Sequence, residues 1–82
     1  MTIGYSQSLI DANKKADIKS PGVALGRVCI ANDISVTEVA DELGVSRMTI
    51  YNWFDGSTVP YARYYTDIEH YIHIIRHRKM KK

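Results

Sequence analysis

Apolar residues along this chain of 82 residues recur at spacings of three and four and nowhere alternate with polar ones over the length of a strand. That period predicts an all-α fold. Breaks fall at Pro21-Gly22, Gly44, Gly56 and Pro60, and they divide the chain into helical segments. The first, over about residues 6 to 16, is weakly amphipathic through Leu9, Ile10 and Ala16. The second opens with Ser20 as a cap and Pro21 at the first helical position, then turns Leu25, Val28 and Cys29 to one side before Asp33.

The third segment has the best-marked start. Ser35, followed three residues later by Glu38, makes a capping box, and Val36, Val39, Ala40 and Leu43 form an apolar stripe. Gly44 suits the positive φ that ends a helix, and Ser46 can cap the next one at once. Two helices joined by about three residues cannot continue as one rod, so the pattern is that of a helix-turn-helix. On the second of these helices Ile50, Trp53 and Phe54 share the inward side. Met48, Tyr51, Asn52 and Asp55 fall opposite, with Arg47 at the edge. Arg and Asn make paired hydrogen bonds to guanine and adenine edges, and Met offers apolar contact, so this outward side suits the major groove. Tyr51 reads either as a base or phosphate contact or as a cover for apolar surface.

The last segment, from about 61 to 78, repeats apolar residues at Tyr61, Tyr65, Ile68, Ile72 and Ile75, with Tyr64, Tyr71 and Ile74 widening the arc to about 180°, where one face of a small core needs only roughly 100°. The surplus predicts a homodimer seam at Tyr65, Ile68, Ile72 and Ile75, against the alternative that the domain itself embraces this helix more deeply.

Size and charge narrow the function. A chain this short is expected to form one small domain with no room for a separate sensor or catalytic unit. No apolar run approaches the roughly 20 residues that span a bilayer, and the start lacks a signal pattern, so a cytoplasmic protein is expected, with no membrane partner. The single Cys29 reads as core filling in a reducing compartment. Five of the eleven cations are Arg76, Arg78, Lys79, Lys81 and Lys82; residues 1 to 75 then hold six cations against nine acids. A polyanion would be drawn to that basic tail, unless the tail is only a solvated helix end. His70, His73 and His77 share helical spacing, but no Cys or carboxylate set completes a tetrahedral site, so neither metal nor cofactor is expected. Nor do the carboxylates, of which Asp41 and Glu42 are neighbours with diverging side chains, form a catalytic set; no enzyme is expected.

Residues 34 to 60, ISVTEVADELGVSRMTIYNWFDGSTVP, resemble the helix-turn-helix of the Cro/CI-like phage-repressor family, also called the xenobiotic-response-element type. The resemblance rests on Ser35, Val39-Ala40, Leu43-Gly44-Val45-Ser46, Ile50, Trp53, Gly56 and Pro60. It implies a small five-helix lambda-repressor-like domain, here over 20–78; the N-terminal segment over 1–19 is extra to that pattern, and the basic tail over 79–82 follows it. It further implies base contacts from Arg47, Met48 and Asn52, joined by Tyr51, and phosphate contacts from Ser35, Val36, Ser46, Thr49 and Thr58. One departure is Asp55, an acid where the family commonly has a cation or amide; it fits only by capping the helix end or accepting from cytosine.

The expected function is that of a transcriptional regulator, a homodimeric repressor on double-stranded DNA with an inverted-repeat operator, free of small-molecule ligands and associated with the nucleoid of a bacterial or phage-infected cell. Two other readings stay open: a structural DNA-binding module for recombination or packaging, which would cover an extended array, and an antitoxin or adaptor, which would bind another polypeptide tightly.

Overall fold

In the computed structural model, which describes residues 5–78, the chain is all α, with five helices and no strand among those residues. Helix α1 (Gln7–Lys15) starts at Ser6, whose Oγ accepts the Leu9 N–H at 3.1 Å. Helix α2 (Pro21–Ala31) begins at the predicted proline, which needs no amide partner there. Ser20 occupies the cap position, but its hydroxyl makes no capping bond, which corrects the expectation that it would. The fixed φ of Pro21 starts this helix without it.

Helix α2 is the central element, packed by α1, α4 and α5. Its surface is buried on several sides, with Val23, Leu25 and Cys29 fully enclosed. Two glycines let it come close to α4. A Cβ on Gly26 would lie 2.7 Å from Asn13 Nδ2 and 2.8 Å from Phe54 Cγ, and one on Gly22 would lie 2.7 Å from Trp53 Cβ. Neither position has room for a methyl group.

Helix α3 (Val36–Leu43) is capped by Ser35, whose Oγ accepts the Glu38 N–H at 3.1 Å. It ends at Gly44 with φ 68°, the left-handed conformation in which a side chain is strained. The N–H groups of Gly44 and Val45 both turn back to the Ala40 carbonyl, so the chain reverses without leaving that acceptor unused. Helix α4 (Arg47–Phe54) follows directly. Burial of Val36, Val39 and Ala40 on α3 against Ile50, Trp53 and Phe54 on α4 fixes the angle between the two.

After Pro60 the chain makes a 3-10 turn (Ala62–Tyr64) and enters α5 (Tyr65–Arg78). The helix therefore starts later than expected, and Tyr61, 74% exposed, lies outside it. Ile68 and Ile75 are fully buried and Tyr71 nearly so. These residues close the domain's own core, which corrects the assignment of Ile68 and Ile75 to a dimer seam. Much of the wide apolar arc is thus consumed internally, with Ile72 half-buried against the core and Tyr64 set edge-on to Trp53 at 5.3 Å. Tyr65 and Ile74 remain exposed.

The leading segment is no appendage either. Tyr5 is buried, stacks on Phe54 with ring centroids 6.2 Å apart, and donates its hydroxyl to the Ile34 carbonyl. Arg27 of α2 reaches the carbonyls of Asn13 and Lys14 at 2.8 and 3.3 Å, holding the last turn of α1. Burial pushes the Cys29 thiol up to about 12 and raises the Tyr5 hydroxyl in the same direction. Both groups serve as core. The basic residues 79–82 lie outside the described residues, and no described helix is long and apolar enough to cross a membrane.

Candidate nucleic-acid interface

The inward side chains of α4 determine what its outward side can show. Ile50 and Trp53 anchor the helix, so Arg47 and Met48 at its start and Tyr51 one turn on point away from the core. Met48 is 66% exposed and Tyr51 41%, large apolar surfaces left in water by a domain that hides Ile50 completely. Asn52 is half-buried, and its carbonyl accepts the Thr58 N–H at 3.2 Å, tying the following loop to the helix.

The helix start is built to meet an acceptor. Ser46 Oγ accepts the Thr49 N–H at 3.1 Å and lies 2.9 Å from the Thr49 hydroxyl. The first N–H groups of a helix have no partner within it, so those of Arg47 and Met48 face outward at the positive end of the helix dipole. A phosphate or base acceptor at that point gains from both.

Beside this start runs an open groove of about 460 Å³, lined by Gly44, Val45 and Ser46 of the turn, Thr49 and Trp53 of α4, and Thr58, Val59, Tyr61 and Tyr64 beyond it. Three of the expected phosphate contacts, Ser46, Thr49 and Thr58, therefore share one wall. Ser35 and Val36 stand apart from it at the start of α3. Val36 has a buried side chain, so only its backbone amide could serve a phosphate. Sequence reading missed Tyr61 as a groove residue because it counted that tyrosine into the last helix. Pro60 gave no warning, since a proline restricts the residue before it and suits a helix start itself.

Asp55 takes the local option: its Oδ1 accepts the Ser57 N–H at 2.8 Å at the end of α4. The acid is occupied in shaping the loop that carries Thr58. On α5 the rings of His73 and His77 lie 4.0 Å apart, and no group of three or more metal-ligating side chains occurs among the described residues.

Two short helices at a fixed angle, a left-handed glycine between them, and a capped second helix with an exposed first turn make up a helix-turn-helix. A family model described as a homeodomain-like domain matches residues 25–58, from within α2 to Thr58 of the groove. The match supports the helix-turn-helix class at large; the phage-repressor type is a narrower reading of the same motif. No curated protein and no solved structure matches the chain.

Proposed function

We propose that this protein is a sequence-specific transcriptional regulator of the Cro/CI-like, lambda-repressor-like type, a homodimer that inserts α4 into the major groove of an inverted-repeat operator and represses by occupying it. The observation that carries this reading is the first turn of α4, where Arg47, Met48 and Tyr51 stand exposed around a Ser46-capped helix start. Arg47 and Asn52 supply paired hydrogen bonds to base edges, and Met48 and Tyr51 supply apolar contact. Ser46, Thr49 and Thr58 hold one phosphate strand, with Ser35 and the Val36 amide meeting another phosphate at the start of α3. Nucleic acid of one operator therefore meets two capped helix starts. Such a protein acts where the DNA is, in the cytoplasm of a bacterial or phage-infected cell.

The test is selection of bound sequences from random double-stranded DNA at fixed salt. Enrichment of a palindromic motif, lost when Arg47 or Asn52 is replaced, is the expected result. Recovery of random sequence at every salt concentration would overturn the proposal.

A further inference from the structure

Three histidines lie on α5, and two of them come together. His73 and His77 stand four residues apart, about one turn of helix, both exposed, with ring centroids 4.0 Å apart and planes inclined at 43°. His77 Nδ1 lies 3.1 Å from the His73 carbonyl oxygen. A carbonyl can only accept, so Nδ1 carries the proton and donates, and in the neutral ring the lone pair is left on Nε2. Ligating histidines are held in this way, one nitrogen bonded to the backbone and the other open. His70 turns elsewhere: it lines a second groove, of about 130 Å³, with Glu42 and Leu43 at the end of α3.

Two imidazoles one turn apart can both reach a single ion. Nitrogens bound to one metal at about 2.0–2.1 Å in neighbouring positions lie roughly 3 Å apart. Rings with centroids 4.0 Å apart need only turn about the soft χ2 torsion to meet that spacing. Among the described residues no third ligand joins them, which argues against a closed structural site. An open site needs fewer protein ligands, with water in the remaining positions. Tyr71 and Ile75, buried in the core, hold this stretch of helix in place, so little ordering is left to oppose binding. Glu69, one turn before His73, and Arg76 beside His77 are exposed and of opposite sign, which leaves the affinity to the two rings.

We propose that His73 and His77 form an exchangeable two-point site for a divalent late transition metal, with His77 ligating through Nε2, and that copper(II) binds there more tightly than nickel(II) or zinc(II). The order follows from nitrogen donors that impose no closed geometry, for which intrinsic affinity peaks at copper. Magnesium, which demands oxygen ligands, is refused. A bound ion ties two successive turns of α5 together beside the buried Ile75. It stabilises the folded chain, because an unfolded segment does not keep the two rings side by side. This site is independent of the operator reading above.

Titration of copper(II) ions into the chain, free of any added histidine tag, tests this by calorimetry and electron paramagnetic resonance. Binding is expected with two imidazole nitrogens in the copper spectrum and with a rise in melting temperature that magnesium does not produce. His73→Ala or His77→Ala alone weakens binding at least tenfold and abolishes the rise, whereas His70→Ala leaves both within error. All three side chains are exposed, so circular dichroism of each metal-free variant is expected to match the wild type. The proposal is overturned if the wild type binds no copper(II), or if either variant of the pair binds it as well as the wild type. It is equally overturned if His70→Ala costs as much as His73→Ala, or if zinc(II) displaces copper(II) at equal concentration.

Discussion

Asn13 in α1 donates its side-chain amide to the last carbonyl of α4, that of Phe54, at 2.8 Å across 41 residues of sequence. The same nitrogen donates to the Val23 carbonyl at 3.1 Å, and the residue is only 2% exposed. One amide thus joins three helices and satisfies the buried end of the proposed recognition helix. Replacing Asn13 by Ala strands the Phe54 carbonyl, at a cost of about 1–3 kcal/mol for an orphaned buried acceptor, while the Val23 carbonyl keeps its place in the α2 ladder. Urea denaturation is expected to show that loss. Asn13→Asp should do worse at neutral pH, since a carboxylate has no hydrogen to offer two carbonyl oxygens.

The outward side of α4 is expected to fail differently from its inward side. Arg47→Ala and Asn52→Ala each lower affinity for the best site by about 1–3 kcal/mol while random DNA is held nearly as before. Competition binding at one salt concentration measures the difference. Trp53→Ala instead opens a cavity worth about 3–5 kcal/mol, enough to unfold much of so small a domain, and thermal melting reports it.

Neighbouring isoleucines on α5 give the sharpest contrast. Ile75 is 1% exposed and Ile74 is 42% exposed. Ile75→Asp buries a charge in the core and is expected to abolish the folded state, whereas Ile74→Asp is expected to keep the fold and its helix content. Circular dichroism and thermal melting of the pair decide the matter.

Alkaline solution should weaken the fold. The Cys29 thiol is pushed up to about 12, first by burial and then by the nearby Glu38 carboxylate. An unfolded chain releases that proton near the ordinary thiol value, so the stabilisation is complete below it and is lost as pH rises towards 12. Tyr5, raised by burial above all, contributes in the same sense at higher pH. Urea midpoints measured through the alkaline range should fall, and less steeply in Cys29→Ala. Modification of the thiol by an aromatic disulfide reagent should keep pace with unfolding of the domain.

The helix-turn-helix was legible because each of its signals is local. Ser35 and Ser46 cap, Gly44 takes the left-handed turn, and the inward side of α4 follows from spacing alone. What sequence could not reveal was long-range. Asn13 resembles any polar residue on a weak helix, and nothing near it in sequence foretells carbonyls at Val23 and Phe54. Tyr5 likewise finds Phe54 and Ile34 only in three dimensions. The arc of α5 was read from period correctly, but period cannot say how much of an arc one domain consumes. Ile68 and Ile75 went inward because α2, lined with glycine and small side chains on one side, brings the other helices close around it.

The seal that α1 places over Phe54 also sets an order of events in time. Its contacts with α4 are distant in sequence, so loop closure makes them late to form and early to release. Local opening of the chain up to Lys15 exposes Tyr5, Leu9, Ile10 and one side of Phe54 while the rest of the core stays closed, so the free energy required is below that of global unfolding. In native-state hydrogen exchange the amides of α1 should trade with solvent ahead of those in α2. During such an opening the Phe54 carbonyl turns to water for its partner, and the far end of the proposed recognition helix frays with it.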